Sequence, residues 1–267
     1  MSLQIIKWPA FLEESSGQCA ITIGVFDGVH LGHKALIEKI VKKGPNPTVI
    51  TFTGNPKKLF PSPYEGDLYS LKQKLAVFES LGVMQAILID FSHEFSKLKG
   101  WEFISLLQKT GKMAFLAIGD NFHCGFQQDT GAVFIKEMND RRGIPTEIVP
   151  PVVESLAAGS GSVSSSRIRS LVISGDLKLA AELMGRNFSL DLSDIVPLQS
   201  KTGSKANRPA ERKKREVYLY DIRSVNRVAP ADGHYSVLMY PGCIKNSVDV
   251  KGGKVYLSDK AESLEFI

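Results

Sequence analysis

Cysteine is scarce in this chain: 267 residues hold three, Cys19, Cys124 and Cys243, odd in number and far apart. Such spacing argues against a disulfide framework or a Cys-based zinc site and suits a reducing cytoplasm. Long apolar runs are missing too. No stretch approaches the roughly 18 residues that a membrane span needs, and the N-terminal MSLQIIKWPAFLEESS has no signal-peptide pattern. A net basic charge is absent outside a single tract. The formal charge is +5, but SKTGSKANRPAERKKR (200–215) holds seven Lys/Arg against one Glu, so everything outside it sums to about −1. The polar, Gly- and Pro-containing tract reads as a linker or mobile loop, with contact to RNA or an acidic membrane surface as the alternative. A nucleic-acid or membrane protein is therefore not the expectation. Histidine is also rare, with five in all, yet His30 and His33 stand three apart in one glycine-rich turn, ITIGVFDGVHLGHKALIEKI (21–40).

What is present is an α/β pattern. Between residues 20 and 150, short and nearly continuous apolar runs suit parallel strands covered on both faces: CAITIGVF, PTVITFT, QAILIDF, MAFLAIG and PTEIVPP. Helical spacing fills the gaps, in HKALIEKIVKK, SLKQKLAVFESLG, WEFISLLQKTG and AVFIKEMNDRRG, each followed by a glycine stop. The alternation predicts a mainly parallel, doubly wound sheet. After 150 come a glycine-serine loop, two helices divided at Gly175-Asp176, and a Val- and Tyr-rich tail that predicts a small all-β module.

In a doubly wound sheet, ligands bind beyond the carboxyl ends of the strands where strand order reverses. With the five strands ordered 3-2-1-4-5, the turn GVFDGVHLGH (24–33) and the loop GDNFHCG (119–125) meet at that point. Gly24, Gly28 and Gly32 let backbone approach a ligand, and the helix starting near His30 offers unpaired amides and a positive dipole end to phosphate. His30 and His33 are placed to donate to phosphate oxygens, or else to cap the helix or bind a structural metal. A zinc site would want further ligands, and no such cluster is visible in the sequence. In VSSSRIR (163–169), Ser164, Ser165 or Ser166 can cap a helix while amides and hydroxyls hold phosphate, and Arg169 can fork onto the same oxygens. In the loop, Asn121 offers a donor and an acceptor and Phe122 an apolar face, which suits a planar heterocycle.

These stretches carry a resemblance. GVFDGVHLGH resembles the HxGH signature of the nucleotidylyltransferase superfamily. In its extended form it is similar to the adenylyltransferase module of bacterial riboflavin kinase/FAD synthetases. GDNFHCG, VSSSRIR and SGDLKLAAELMGRNF (174–188) resemble that family's later motifs, in the same order, over about residues 18–190. TFTGNP (51–56) sits where the family often has Thr-Phe-x-x-His-Pro. The resemblance implies a Rossmann-like nucleotidylyltransferase domain over 1–190, a basic linker over 191–215 and a shortened kinase-like β module over 216–267. It implies transfer of AMP from ATP to FMN, giving FAD and pyrophosphate, with Mg2+ across the ATP phosphates. His30, His33 and Arg169 would be catalytic. Gly24, Phe26, Asp27, Gly32, Ser165 and Ser166 would bind ATP, and Asn55, Asn121 and Phe122 would bind FMN. Asp27 has a second reading, in which it only fixes the turn by an Asx-type bond.

Departures from the family pattern are Asn55 in place of His, His123-Cys124 in place of Arg-Phe, and Ser166 in place of Thr. The kinase half's Gly-Phe-Pro-Thr-Ala-Asn is missing, and the 80 residues after Asn187 are too few for its whole barrel. Riboflavin phosphorylation is therefore expected to be absent. The rival readings are another HxGH nucleotidylyltransferase with a different nucleotide or acceptor, and a non-catalytic flavin or nucleotide sensor.

Overall fold

The computed structural model describes residues 2–13, 17–60, 64–110, 112–156, 159–202 and 215–267, with the side chains of 154–160 and 200–216 left out. Most of the basic tract, 203–214, lies outside the described residues. The chain divides into two compact units, one of residues 1–64 and 71–163, the other of residues 65–70 and 164–267.

The first unit is built on a six-stranded parallel sheet. Its strands are β1 (Gln4–Lys7), β2 (Cys19–Ile23), β3 (Thr48–Phe52), β4 (Gln85–Ile89), β5 (Met113–Gly119) and β8 (Thr146–Val149). Their order is β1-β4-β3-β2-β5-β8, with every pairing parallel. The five strands expected from the sequence thus take the 3-2-1-4-5 order, and the reversal falls between β2 and β5. Edge strand β1 carries no comparable signal, because only Ile6 of its four residues is buried.

Near-continuous apolar strands are explained by two faces that are both covered. Cys19, Ile21 and Ile23 of β2 pack with Ile50, Ile87, Leu116 and Ile118 against α1 (Trp8–Glu13), α4 (Gly100–Lys109) and α5 (Ala132–Asp140). On the opposite face, Ala20, Val49, Phe115 and Ala117 meet Ile37 and Ile40 of α2 (Leu31–Lys43) and Phe78 of α3 (Leu71–Ser80). Burying each Ile or Phe of this kind contributes about 1.5–3 kcal/mol.

Two short ribbons complete the unit. After β5, β6 (His123–Cys124) pairs with β7 (Thr130–Gly131). After β8, β9 (Val153–Leu156) pairs antiparallel with β10 (Gly159–Ser162). The glycine-serine stretch, which the sequence predicts as a loop, is in part this ribbon. Gly and Ser give no strand signal, yet a two-stranded ladder needs only backbone groups to close.

In the second unit, α6 (Ser165–Ser174) and α7 (Leu177–Met184) meet at the predicted turn. Gly175 caps α6 at φ 85°, where any side chain would be strained. The Asp176 carboxylate accepts from the Leu179 amide at 3.1 Å and starts α7. A seven-stranded antiparallel sheet follows, in the order β11-β17-β14-β15-β16-β13-β12. Its strands are β11 (Ser189–Asp191), β12 (Leu198–Thr202), β13 (Arg215–Asp221), β14 (Gly233–Tyr240), β15 (Ile244–Lys251), β16 (Lys254–Leu257) and β17 (Ser263–Phe266). The pairing Thr202↔Arg215 joins the described ends of the basic tract in one antiparallel pair.

Residues 65–70 belong to this unit although they are remote from it in sequence. Asp67 bridges to Arg227, and the Asp67 amide and carbonyl bond Asn226 O and Val228 N at 2.8 and 3.0 Å. Arg169 Nε donates to Gly66 O at 2.8 Å. Arg186 lies over the Tyr69 ring, 5.1 Å from its centroid, and Nε donates to the Tyr69 hydroxyl at 3.1 Å. Ser70 Oγ donates to Asp191 at 2.6 Å.

Among the described residues no helix is long and apolar enough to cross a membrane. The three cysteines differ in exposure: Cys19 is buried, Cys124 half-buried and Cys243 exposed. Burial raises the Cys19 thiol, with weaker opposing pulls from Thr48 and Lys112. Burial, then the Asp129 carboxylate, pushes Cys124 up to about 12. Since the thiolate is the reactive form, iodoacetamide at pH 8 is expected to label native protein at Cys243 at least about tenfold faster than at the other two. Peptide mass spectrometry of a time course reads this directly, and comparable labelling of Cys124 would contradict its burial.

Candidate active site

The turn after β2 is strained. Phe26 sits at φ 53°, ψ 34°, Gly28 at φ 75° and Val29 at φ 39°, so three of four consecutive residues are left-handed. Only Gly28 adopts this freely. For Phe26 and β-branched Val29 the conformation costs on the order of 1–3 kcal/mol each, and it persists only where the surroundings enforce it. Those surroundings are visible. Phe26, Asp27 and Val29 are all buried, and Phe26 meets Phe78 edge-on at 5.6 Å. The Val25 carbonyl accepts from Thr51 Oγ1 at 3.1 Å and from Lys74 Nζ at 3.2 Å.

The turn delivers His30, extended at φ −69°, ψ 177°, to the N-cap of α2. His33, on the first turn, lays its imidazole on that of His30 with centroids 3.6 Å apart and planes 20° apart. Phe26 closes on His33 edge-on at 5.1 Å. His30 is 5% exposed and His33 half-buried. Gly32 permits the packing, since a methyl there would stand 3.2 Å from His30 Cε1. Gly24 similarly leaves room for the Phe26 ring, at 3.2 Å from a would-be Cβ. Gly24, Phe26, Asp27, His30, Gly32 and His33 therefore come together beyond the carboxyl end of β2. Leu31, Gly32 and His33 open α2, and their amides lie in the first turn, where an α-helix offers N–H groups no partner within the helix.

The other expected residues are placed differently. Asn55 follows β3, is 8% exposed, and its Oδ1 accepts from the Lys57 amide at 3.1 Å to cap the short helix Pro56–Leu59. Asn121 is exposed after β5, with its carbonyl accepting from His123 Nδ1 at 3.0 Å. Phe122 is half-buried and packs against the core of the α4 face. Ser165, Ser166 and Arg169 belong to the second unit. The α6 cap is Ser164, whose Oγ accepts from the Arg167 amide at 3.3 Å, with half-buried Ser165 and exposed Ser166 in the first turn. Arg169 is 6% exposed and engaged with Gly66, as above.

Sequence reasoning missed Thr51 and Lys74. Lys74 sits four residues before buried Phe78 on the inward face of α3 and is itself 5% exposed. The available signal was a lysine interrupting an apolar stripe at helical spacing.

Comparisons with known proteins agree with the motif reading. The FAD synthetase family model matches residues 12–167. The bifunctional riboflavin kinase/FMN adenylyltransferase of Escherichia coli (strain K12) is 29% identical over 178 residues, covering 64% of this chain and 56% of that protein. Its counterpart in Pseudomonas fluorescens is 26% identical over 193 residues, covering 70% and 61%. The chain thus matches little more than half the length of these curated relatives. A solved structure named as a macrolide-efflux protein from Streptococcus pneumoniae covers 100% of this chain and 89% of its own, at TM-score 0.71 and 21% identity, a likeness of fold. With its parallel sheet, its histidine turn and a family match over more than half its length, the chain belongs to the FAD synthetase family.

Proposed function

We propose that the protein is an FMN adenylyltransferase, moving AMP from ATP to the phosphate of FMN to give FAD and pyrophosphate. The observation that carries this reading is the strained turn that presents two stacked imidazoles at the amino end of α2. An FMN phosphate oxygen attacks the α-phosphorus of ATP, a bond from that phosphorus to the new oxygen forms, and the bond to the pyrophosphate oxygen breaks. Both charges are already carried by oxygen, so the protein's task is to hold the groups in line and to stabilise charge. His30 and His33 donate to the phosphate oxygens, beside the first-turn amides of α2. Gly24, Phe26, Asp27 and Gly32 shape the nucleotide's seat, and Ser165 and Ser166 add hydroxyls for phosphate. Arg169 contributes positive charge, although its Nε already holds Gly66. Asn121 and Phe122 offer FMN a polar and an apolar contact, and Asn55 fixes the segment after β3.

Among the described residues no group of three or more His, Cys, Asp or Glu side chains is arranged to hold a metal. Mg2+, part of this proposal through the family resemblance, would keep its waters and bind chiefly through the substrate phosphates, where it would neutralise charge. We further propose that riboflavin phosphorylation is absent, because the kinase half's Gly-Phe-Pro-Thr-Ala-Asn does not occur in the chain.

Product analysis with ATP and Mg2+ tests both statements. FMN should yield FAD and pyrophosphate in equal amounts, and riboflavin alone should yield nothing. FMN appearing from riboflavin would overturn the second statement, and well-folded protein making no FAD would overturn the first.

A further inference from the structure

Lys74 is a buried cation that the chemistry above does not use. It reaches from the inner face of α3 to the carboxyl ends of two adjacent strands, donating to Val25 O at 3.2 Å and Phe52 O at 3.4 Å. Taking an ammonium out of water is costly, and a packed apolar side chain of similar volume often serves stability as well or better. Packing alone therefore does not account for a lysine here. What Lys74 does hold is specific. Val25 precedes Phe26, so its carbonyl belongs to the peptide that sets the left-handed Phe26, and through it the positions of Asp27, Gly28 and His30. Thr51 Oγ1 fixes the same carbonyl from the neighbouring strand. Two donors on one carbonyl leave that peptide little freedom to rotate, and a strained turn keeps its shape only when over-determined in this way.

We propose that Lys74 is a positioning residue for nucleotide binding: through Val25 and Phe52 it holds the turn of residues 24–30 in the shape that receives the ATP phosphates. This rests on the reading of that turn as the ATP site. Lys74 acts on the backbone behind the site and touches neither reacting atom. Preorganisation of this kind appears first in affinity for the ligand that the turn receives, and to a smaller extent in the rate, through the placing of His30.

The test uses the full chain and compares wild type with Lys74→Met and Lys74→Arg. ATP affinity is measured by calorimetry with Mg2+, alongside kcat and KM for ATP and FMN. Lys74→Met should raise the ATP Kd and KM by about tenfold or more. It should leave KM for FMN within about twofold and lower kcat at saturating ATP by a smaller factor than the loss in ATP affinity, since the same turn places His30, while Lys74→Arg, which keeps charge and donors, recovers most of the affinity. Folded Lys74→Met with ATP affinity within about twofold of wild type overturns the proposal, as does an equal loss in every parameter. Should Lys74→Met not fold, Lys74→Gln carries the test: its shorter side chain releases at least one carbonyl, and unchanged ATP affinity would again overturn it. Wild-type protein that binds no ATP would bring down the underlying reading of the turn, whereas equal binding by wild type and variant brings down only the role of Lys74.

Discussion

Replacing His33 by alanine is expected to lower kcat for FAD formation by about 10²–10³-fold, the range seen when one donor to a developing oxyanion is removed. The structure argues for the upper part of that range. His33 supplies its own imidazole, and it is also the flat surface on which the His30 ring rests at 3.6 Å. Its loss removes one donor and frees the other to tilt toward the space left behind. Two consequences follow. First, His30→Ala and the double variant should each fall close to His33→Ala, within about tenfold, because groups that act as a unit are not additive. Second, folding should suffer little: His33 is half-buried, so its truncation removes far less packing than that of a core aromatic. Steady-state kinetics beside a thermal melt separate these effects. A kcat for His33→Ala within tenfold of wild type, with its melting temperature unchanged, would sink the assignment of phosphate stabilisation to this pair.

The site was legible to the extent that its signals are local. Glycines, histidines and a strand-to-helix change all fall within ten residues of GVFDGVHLGH, and the five sheet strands are continuous apolar runs because helices cover both faces. What local patterning could not carry is contact between distant segments. Nothing in Asp67, Tyr69 or Ser70 announces partners at Arg227, Arg186 and Asp191. Lys74 looks like any helical lysine until the ends of β2 and β3 are seen beneath it. Arg169 is the instructive case. A motif assigns it to phosphate, while its burial and its bond to Gly66 show that it also holds residues 65–70. Edge strand β1 buries one residue in four, and β17, an internal strand paired on both sides, has only four residues, so alternation in each is too brief a pattern to read.

The same long-range contacts make Arg227 a vulnerable position of the second unit. Its side chain is 6% exposed, donates to the Asp191 carbonyl and pairs with both oxygens of Asp194, and it stands 3.9 Å from the buried Asp191 carboxylate. Arg227→Met keeps much of the apolar stem but leaves Asp191 buried without its cation. Breaking a buried pair costs about 3–5 kcal/mol where the remaining charge is uncompensated, and the hydrogen bonds that Ser70 and Ser193 keep on Asp191 hold the expected loss to the lower end of that range. Denaturant unfolding at neutral pH should show a loss of this size.

The pH dependence then tests the cause. Burial alone would raise the Asp191 carboxyl, but hydrogen bonds from Ser193 and Ser70 and the charge of Arg227 outweigh it and hold the group below its ordinary 3.8. A carboxyl lowered in the folded state contributes stability that is fully present above the unfolded value. That contribution is lost as pH falls through the lowered one. In Arg227→Met the pull from the guanidinium is gone, so acid unfolding should begin at higher pH. The gap between wild type and variant should also narrow as the solution is taken from about pH 5 toward pH 2, where the carboxylates become protonated. A residual gap at the acid end is expected from the bond to the Asp191 carbonyl, which does not titrate. A gap of constant size across that range would mean that Arg227 stabilises through its packed stem and this backbone bond, and the charge-based account of the second unit would fall.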